Sequence, residues 1–210
     1  MKIEFFHDTI CSFCFPMSHN MRKLAEKYPD IEIVHRSFAL AWEPDDMVNM
    51  FGSREGATAK IVPHWEKANQ YDELGRFNTD GMLKTEFLFP ISRKPLLAAK
   101  AAGMVGGEEE YWDAFDAIQN KLYVQNRNIE EDAVLEEAMK EAGIDPDAWK
   151  EAYLSDACEE KVLEDFALAE RYDVRSVPTL IVDGERKIYG ALNLERLEQA
   201  LFDKPTLNTL

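Results

Sequence analysis

Cysteine is scarce, with three residues in 210. So few thiols cannot build a disulfide framework, which excludes the small stapled secreted scaffolds. Histidine is nearly as rare, at four, and no second Cys or His pair stands at a metal-ligand spacing, which argues against a zinc module. Glycine (10) and proline (9) are too few for a collagen-like or low-complexity chain. Positive charge is short: 24 basic against 40 acidic residues leave a net charge of −16. Such a balance speaks against nucleic acid or an anionic membrane as partner. No apolar run approaches the roughly 20 residues of a membrane span. The start shows no basic segment leading into an apolar one, so the expectation is a cytoplasmic protein in a reducing compartment. There is no internal repeat.

What remains is 46% hydrophobic and 30% charged, enough for a sizeable core. Two of the three cysteines fall together. Ile3-Glu4-Phe5-Phe6-His7 reads as a buried strand, Asp8 and Thr9 break it, and Cys11-Ser12-Phe13-Cys14 follows where a helix begins. Residues three apart in a first helical turn share a face, so two sulfurs at this spacing can meet. The unpaired amides and dipole of a helix start favour a thiolate, and cysteines in such places titrate from about 3.5 to 7.5. Cys11 is therefore the expected nucleophile and Cys14 the resolving thiol.

The chain then divides. Met17, Met21, Leu24, Ala25 and Tyr28 mark the helical stripe of residues 13–28, with Pro16 in its first turn. Residues 31–38 form a second strand, and strand–helix–strand with short connections predicts a parallel pair. From about Glu43 the signal is helical: 57–71, interrupted at Pro63; a turn at 78–81; a helix opened by Pro95; then 108–125, 130–142 and 145–154. A helix over 157–172 returns to the core. Leu180-Ile181-Val182-Asp183-Gly184-Glu185-Arg186-Lys187-Ile188-Tyr189 is a hairpin, since Asp-Gly between apolar runs signals a type I′ turn. Asn193 caps a last helix to Phe202, with Leu194, Leu197, Leu201 and Phe202 inward. The expected units are 1–43 with 157–202, an all-helical insertion over 44–156, and a tail over 203–210.

The order β-α-β, helices, α-β-β-α resembles the thioredoxin-like α/β fold as the DsbA family elaborates it. The resemblance is carried by Phe5 to Cys14, by Ser176-Val177-Pro178-Thr179 and by the hairpin ending Tyr189-Gly190-Ala191. It is closest to the cytoplasmic FrnE-like branch. Ser12-Phe13 replaces the Pro-His or Pro-Trp commoner between the family's cysteines. The resemblance implies a cis Pro178 beside the thiols and a Val177 backbone that pairs with an extended substrate. Phe13 joins Val177 as a substrate contact. It further implies a thiol–disulfide oxidoreductase that needs no cofactor, with protein or peptide thiols and disulfides as partners and glutathione a further candidate.

Two alternatives stand beside it. Kappa-type glutathione transferases and hydroxychromene-carboxylate isomerases resemble the same architecture but carry Ser for the first cysteine. A redox-sensing chaperone or protease adaptor would keep the scaffold without the catalysis. Oligomeric state is not read from the sequence. Among lesser candidates, Asp8 reads as a turn residue before it reads as a base. His7 could face the thiols as an imidazolium. Cys158 reads as a small buried hydrophobe rather than a regulatory thiol, and Arg93 and Lys94 as a weak anion site.

Overall fold

A computed structural model describes residues 1–202; the expected tail over 203–210 lies outside the described residues. The elements are β1 (Lys2–His7), α1 (Cys14–Lys27), β2 (Glu32–Ser37), α2 (Pro44–Phe51), α3 (Ala57–Asn69), α4 (Thr79–Met82), α5 (Arg93–Gly106), α6 (Glu108–Tyr123), α7 (Asp132–Glu141), α8 (Pro146–Tyr153), α9 (Asp156–Arg171), β3 (Thr179–Val182), β4 (Arg186–Tyr189) and α10 (Leu194–Phe202).

The four strands lie in the order β2-β1-β3-β4. β1 is central and pairs parallel with β2, Phe5 opposite His35, as the short β-α-β connections require. On its other side it pairs antiparallel with β3, Phe6 opposite Thr179. Residues 176–178 therefore arrive at the carboxyl end of β1, where the cysteine loop leaves it. Ile3, Phe5 and Phe6 are fully buried, because helices cover both faces of this strand. Leu24, Met17, Met21, Leu197 and Leu201 pack on one face with Phe5. Ala169 and Val174 pack on the other with Phe6.

The chain from α2 to α8 contributes helices and, among the described residues, no strand of the sheet. Their apolar cluster does not stop at the cysteine loop. Ile10, Cys11, Cys14 and Phe15 belong to the same cluster as Trp65, Ala98, Phe115, Leu122, Tyr123 and Trp149. The thiols thus sit in the core that the helices build. β2 is an edge strand, and its outward amides are not left open. His35 N–H donates to Glu108 Oε2 at 2.8 Å and Ser37 N–H to Asp165 Oδ2 at 2.9 Å. Carboxylates on the edge block pairing with a foreign strand.

Several local expectations need correction. α3 runs unbroken through Pro63. Both Pro63 and Ala59, whose carbonyl loses its partner, are exposed, so water replaces the lost hydrogen bond. Residues 78–81 are not a plain turn but the start of α4, capped by the Asn78 side chain on Gly81 N–H at 2.9 Å. In the hairpin Asp183 and Gly184 both have positive φ, 51° and 76°, as a type I′ turn requires. The ladder resumes at Val182–Arg186, so Glu185 is one extra residue. Phe202 is 45% exposed rather than inward; it rests on the Tyr28 ring, centroids 4.8 Å apart. Asn193 does cap α10, accepting from Arg196 N–H at 3.0 Å.

Candidate active site

The loop from Asp8 to Phe13 turns twice before α1 begins. Cys11 N–H donates to Asp8 O at 3.2 Å, and Cys14 N–H to Cys11 O at 3.0 Å. The helix starts at Cys14, with Phe13 at the N-cap position. Cys11 therefore lies in the turn preceding the helix, not at its first residue, and Cys14 opens the helix rather than sitting one turn in. The i,i+3 turn still brings the two side chains into the same cluster of buried residues. Cys14 is fully buried; Cys11 is 4% exposed. Pro16 falls at the third helical residue, where its missing N–H has no intrahelical partner to lose.

Across 166 positions, the Cys11 Sγ donates to Val177 O at 3.4 Å. The Val177–Pro178 bond is cis. Two clefts flank this contact and share Phe13 and Val177 as walls. The first, about 210 Å³, is lined by Cys11, Leu40, Met47, Met50, Phe51 and Phe89 among others, with His64 its only ionisable side chain besides the thiol. The second, about 430 Å³, is lined by Tyr71, Pro178, Tyr189 and Arg196. The Phe13 ring meets Tyr71 edge-on at 5.8 Å. Met47, Met50 and Phe51, all from α2, were not foreseen in this role.

A buried Cys-x-x-Cys against a cis-proline loop, on a sheet of this order, has known relatives. Residues 2–202 match the DSBA-like thioredoxin domain. The chain belongs to the DSBA-like thioredoxin family.

Solved structures repeat the fold of this DSBA-like chain. A candidate protein disulfide isomerase from Nitrosomonas europaea superposes with a TM-score of 0.75 at 18% identity, covering 95% of each chain. The cytosolic disulfide reductase DsbM from Pseudomonas aeruginosa gives 0.71 at 20% identity, over 93% of this chain and 91% of that one. DsbM has also been solved with glutathione. A 2-hydroxychromene-2-carboxylate isomerase gives 0.68 at 17% identity, over 95% and 94%. No curated protein sequence matches. Family and fold together support an enzyme of the disulfide oxidoreductase or isomerase type. No helix among the described residues is long and apolar enough to cross a membrane.

Behind the thiols of this DSBA-like chain lies Asp8, fully buried. Its Oδ2 accepts from Leu40 N–H and from the Ser92 hydroxyl, both at 2.7 Å; its Oδ1 accepts from Ile10 N–H at 3.2 Å and the Thr9 hydroxyl at 3.3 Å. Burial pushes its carboxyl up from 3.8 to about 6, and these four donors hold it from going higher. Asp8 is a turn residue, as expected, but it is also an acid poised near neutrality. Burial pushes the Cys14 thiol well above its ordinary value; the hydrogen bond and charge of Cys11 and the charge of Asp8 add to this, while the Asp8 backbone N–H opposes it. The Tyr123 hydroxyl donates to Thr9 O at 3.3 Å, and the Gln119 amide reaches Asp8 O and Thr9 O at 3.5 and 3.4 Å. These α6 residues brace the loop, and nothing local in the sequence marks them.

The lesser candidates separate. His7 does not serve the thiols: its ring meets His35 and Phe115 in the core. Cys158 is fully buried and donates to Leu97 O at 3.3 Å, and burial lifts its thiol to about 11. Arg93 pairs with Glu43 and Glu159, and Lys94 with Asp132, so neither cation stands free for an anion. Among the described residues no cluster of three or more metal-ligating side chains occurs.

Proposed function

We propose that this chain is a thiol–disulfide oxidoreductase working through Cys11 and Cys14 on extended protein or peptide segments. The observation that carries the reading is the placement of Cys11. Its sulfur sits 3.4 Å from Val177 O, at the head of an apolar cleft, with Cys14 fully buried at the other end of the same turn. Cys11 attacks a substrate disulfide as thiolate; the new bond is Cys11 to one substrate sulfur, and the other sulfur leaves with the electron pair. Cys14 then attacks Cys11 Sγ and gives its proton to the Asp8 carboxylate. The mixed disulfide breaks, the second substrate sulfur leaves as thiolate, and the Cys11–Cys14 disulfide remains. Run backwards, the same steps oxidise a dithiol.

Val177 offers its backbone to a strand-like substrate, Pro178 next to it has no N–H to compete, and Phe13 walls both clefts. Small thiols such as glutathione are further partners, a reading supported by the glutathione complex of DsbM. The FrnE-like branch and a cytoplasmic location are inferred from the active-site stretch, the scarcity of cysteine and the likeness to a cytosolic reductase. The helices from 44 to 156 are read as an insertion that shapes the cleft. Likeness to the chromene-carboxylate isomerase does not favour that chemistry, because both cysteines are in place here.

Insulin reduction by glutathione, followed by turbidity, tests the proposal. The wild type should accelerate it, and Cys11→Ser should abolish the acceleration. Full activity in Cys11→Ser would sink the reading. Suppressed aggregation without catalysis would favour the chaperone alternative instead.

A further inference from the structure

We infer that Ser92 is a positioning residue for disulfide resolution, its hydroxyl holding the Asp8 carboxyl in place to take the proton of Cys14. The inference rests on the reading of Asp8 as that proton's acceptor and names what sets it.

Ser92 stands at the N-cap of α5, 84 positions from Asp8, and is fully buried. It does not cap its own helix with its side chain. The hydroxyl is directed elsewhere: it donates to Asp8 Oδ2 at 2.7 Å and accepts from Ala41 N–H at 3.2 Å. The Ser92 N–H donates to Ala41 O at 2.7 Å. Ser92 and Ala41 are thus doubly tied, and Leu40, next to Ala41, gives its own N–H to the same Asp8 oxygen at 2.7 Å. The carboxyl is clamped between the loop after β1, the loop after β2 and the start of α5.

Each donor stabilises the carboxylate, and burial stabilises the acid. Two of the four donors are backbone amides, which no side-chain replacement removes. Thr9 reaches Oδ1 only at 3.3 Å. Ser92 is the one side chain of the four donors at strong hydrogen-bond distance, and a bond to a charged acceptor in a fully buried site counts heavily. The titratable groups beside Asp8 are Cys11, which shares its turn, Cys14 from the start of α1, and Tyr111 and Tyr123 from α6. Burial keeps Cys14, Tyr111 and Tyr123 protonated through the neutral range. Cys11 is common to every variant compared below.

The step itself is the one already described. Cys14 loses its proton to Asp8, the Cys14–Cys11 bond forms, the Cys11–substrate bond breaks, and the substrate sulfur departs with the electron pair. Without the Ser92 hydroxyl, Asp8 should hold its own proton to higher pH and resolution should need a more alkaline medium.

A chromogenic aromatic disulfide separates the two stages, because attack by Cys11 releases the first thiolate and resolution by Cys14 the second. The rate of the second release is followed from pH 5 to 9. In Ser92→Ala its midpoint should move up by about one to two pH units, slowing the step about fivefold or more at pH 6 and leaving it near wild type at pH 9. Ser92→Thr, which keeps the hydroxyl, should restore the wild-type profile. An unmoved midpoint in folded Ser92→Ala, or a slowing by one factor at every pH, would overturn the inference. Should Ala not fold, Ser92→Cys carries a weaker donor and must show a smaller shift in the same direction; no shift overturns the inference equally. Failures at other levels stay distinguishable. A wild-type profile in Asp8→Asn would remove Asp8 as acceptor, and a second release undiminished in Cys14→Ser would remove the exchange mechanism itself.

Discussion

The His7 and His35 rings meet in the core, His7 Nε2 3.1 Å from His35 Nδ1. Neither outer nitrogen, His7 Nδ1 nor His35 Nε2, has a hydrogen-bond partner among the described residues. Burial holds both rings well below the ordinary 6.5, with the charges of Lys100 and, for His35, Arg22 adding to it.

The pair makes the fold acid-sensitive. As pH falls through 6.5 the unfolded chain takes up two protons that the folded chain refuses, so stability drops. Each such group gives up about 1.4 kcal/mol per pH unit. Replacing His35 by Phe keeps the ring against Trp112 and Tyr111 but removes one proton. Urea unfolding at pH 7 and pH 5 should then show a shallower loss in His35→Phe than in wild type. Equal losses would mean that the buried pair is not what acid attacks.

Asp8 works in the opposite direction. Its folded carboxyl is raised from 3.8 to about 6, so the folded chain binds its proton first. The stability it contributes is complete below 3.8 and is lost as pH rises through 6. Above that, the buried charge costs roughly 3 kcal/mol. Asp8→Asn should recover part of this at pH 8, though its amide nitrogen cannot accept from Leu40 and Ser92. The same variant should lose stability more steeply than wild type from pH 6 to pH 5, because nothing offsets the histidines. A parallel pair of pH curves would show that folding does not raise the Asp8 carboxyl.

The sequence disclosed what local chemistry can encode. β1, the cysteine turn, the Asp183-Gly184 hairpin and the amphipathic α6 each announce themselves within a dozen residues. The Val177–Cys11 contact was implied by the family resemblance rather than by any local pattern, and the pairing of β3 with β1 produces it. What stayed hidden is long-range. Ser92 lies in a stretch with no motif, and only the close approach of α5 to two loops gives it a role. His7 and His35 sit on adjacent strands, and no spacing rule pairs them. Met50 and Phe51 line the cleft because α2 folds back over Cys11, which helical periodicity cannot say. The start of α1 was misplaced because a turn at Cys11 and a helix at Cys14 share the same i,i+3 hydrogen bonding.

Cys158 gives a separate test of the site's chemistry. It is buried in the first turn of α9, and its thiol is lifted to about 11. Native protein treated briefly with iodoacetamide at pH 8 should carry label on Cys11 and none on Cys158 by peptide mass spectrometry. Label should reach Cys158 only in denaturant, and Cys158→Ala should leave insulin reduction within twofold of wild type. Early labelling of Cys158 would reinstate it as a reactive thiol.

The last prediction concerns the cleft beside Cys11. Its walls are Leu40, Met47, Met50, Phe51 and Phe89, nearly all apolar. Met47 is fixed in the core at 1% exposed, but Met50 is 47% exposed at the mouth, so Met50 can be changed without unfolding α2. An extended substrate whose cysteine reaches Cys11 must lay a neighbouring side chain here. If that side chain is large and apolar, it covers on the order of 50 Å² of the Met50 region, worth about 1 kcal/mol at 25 cal/mol per Å². Met50→Glu forfeits that contact and adds a charge that the bound side chain would desolvate. The expected result is a fall of about tenfold in kcat/KM for a disulfide peptide with Leu or Phe beside its cysteine, carried by KM. The same variant should reduce a small symmetric disulfide at the wild-type rate, because that substrate reaches Cys11 without entering the cleft. Equal losses on both substrates would place the effect on the thiols rather than on recognition. No loss on either would mean that substrates approach from the Tyr71 and Arg196 side.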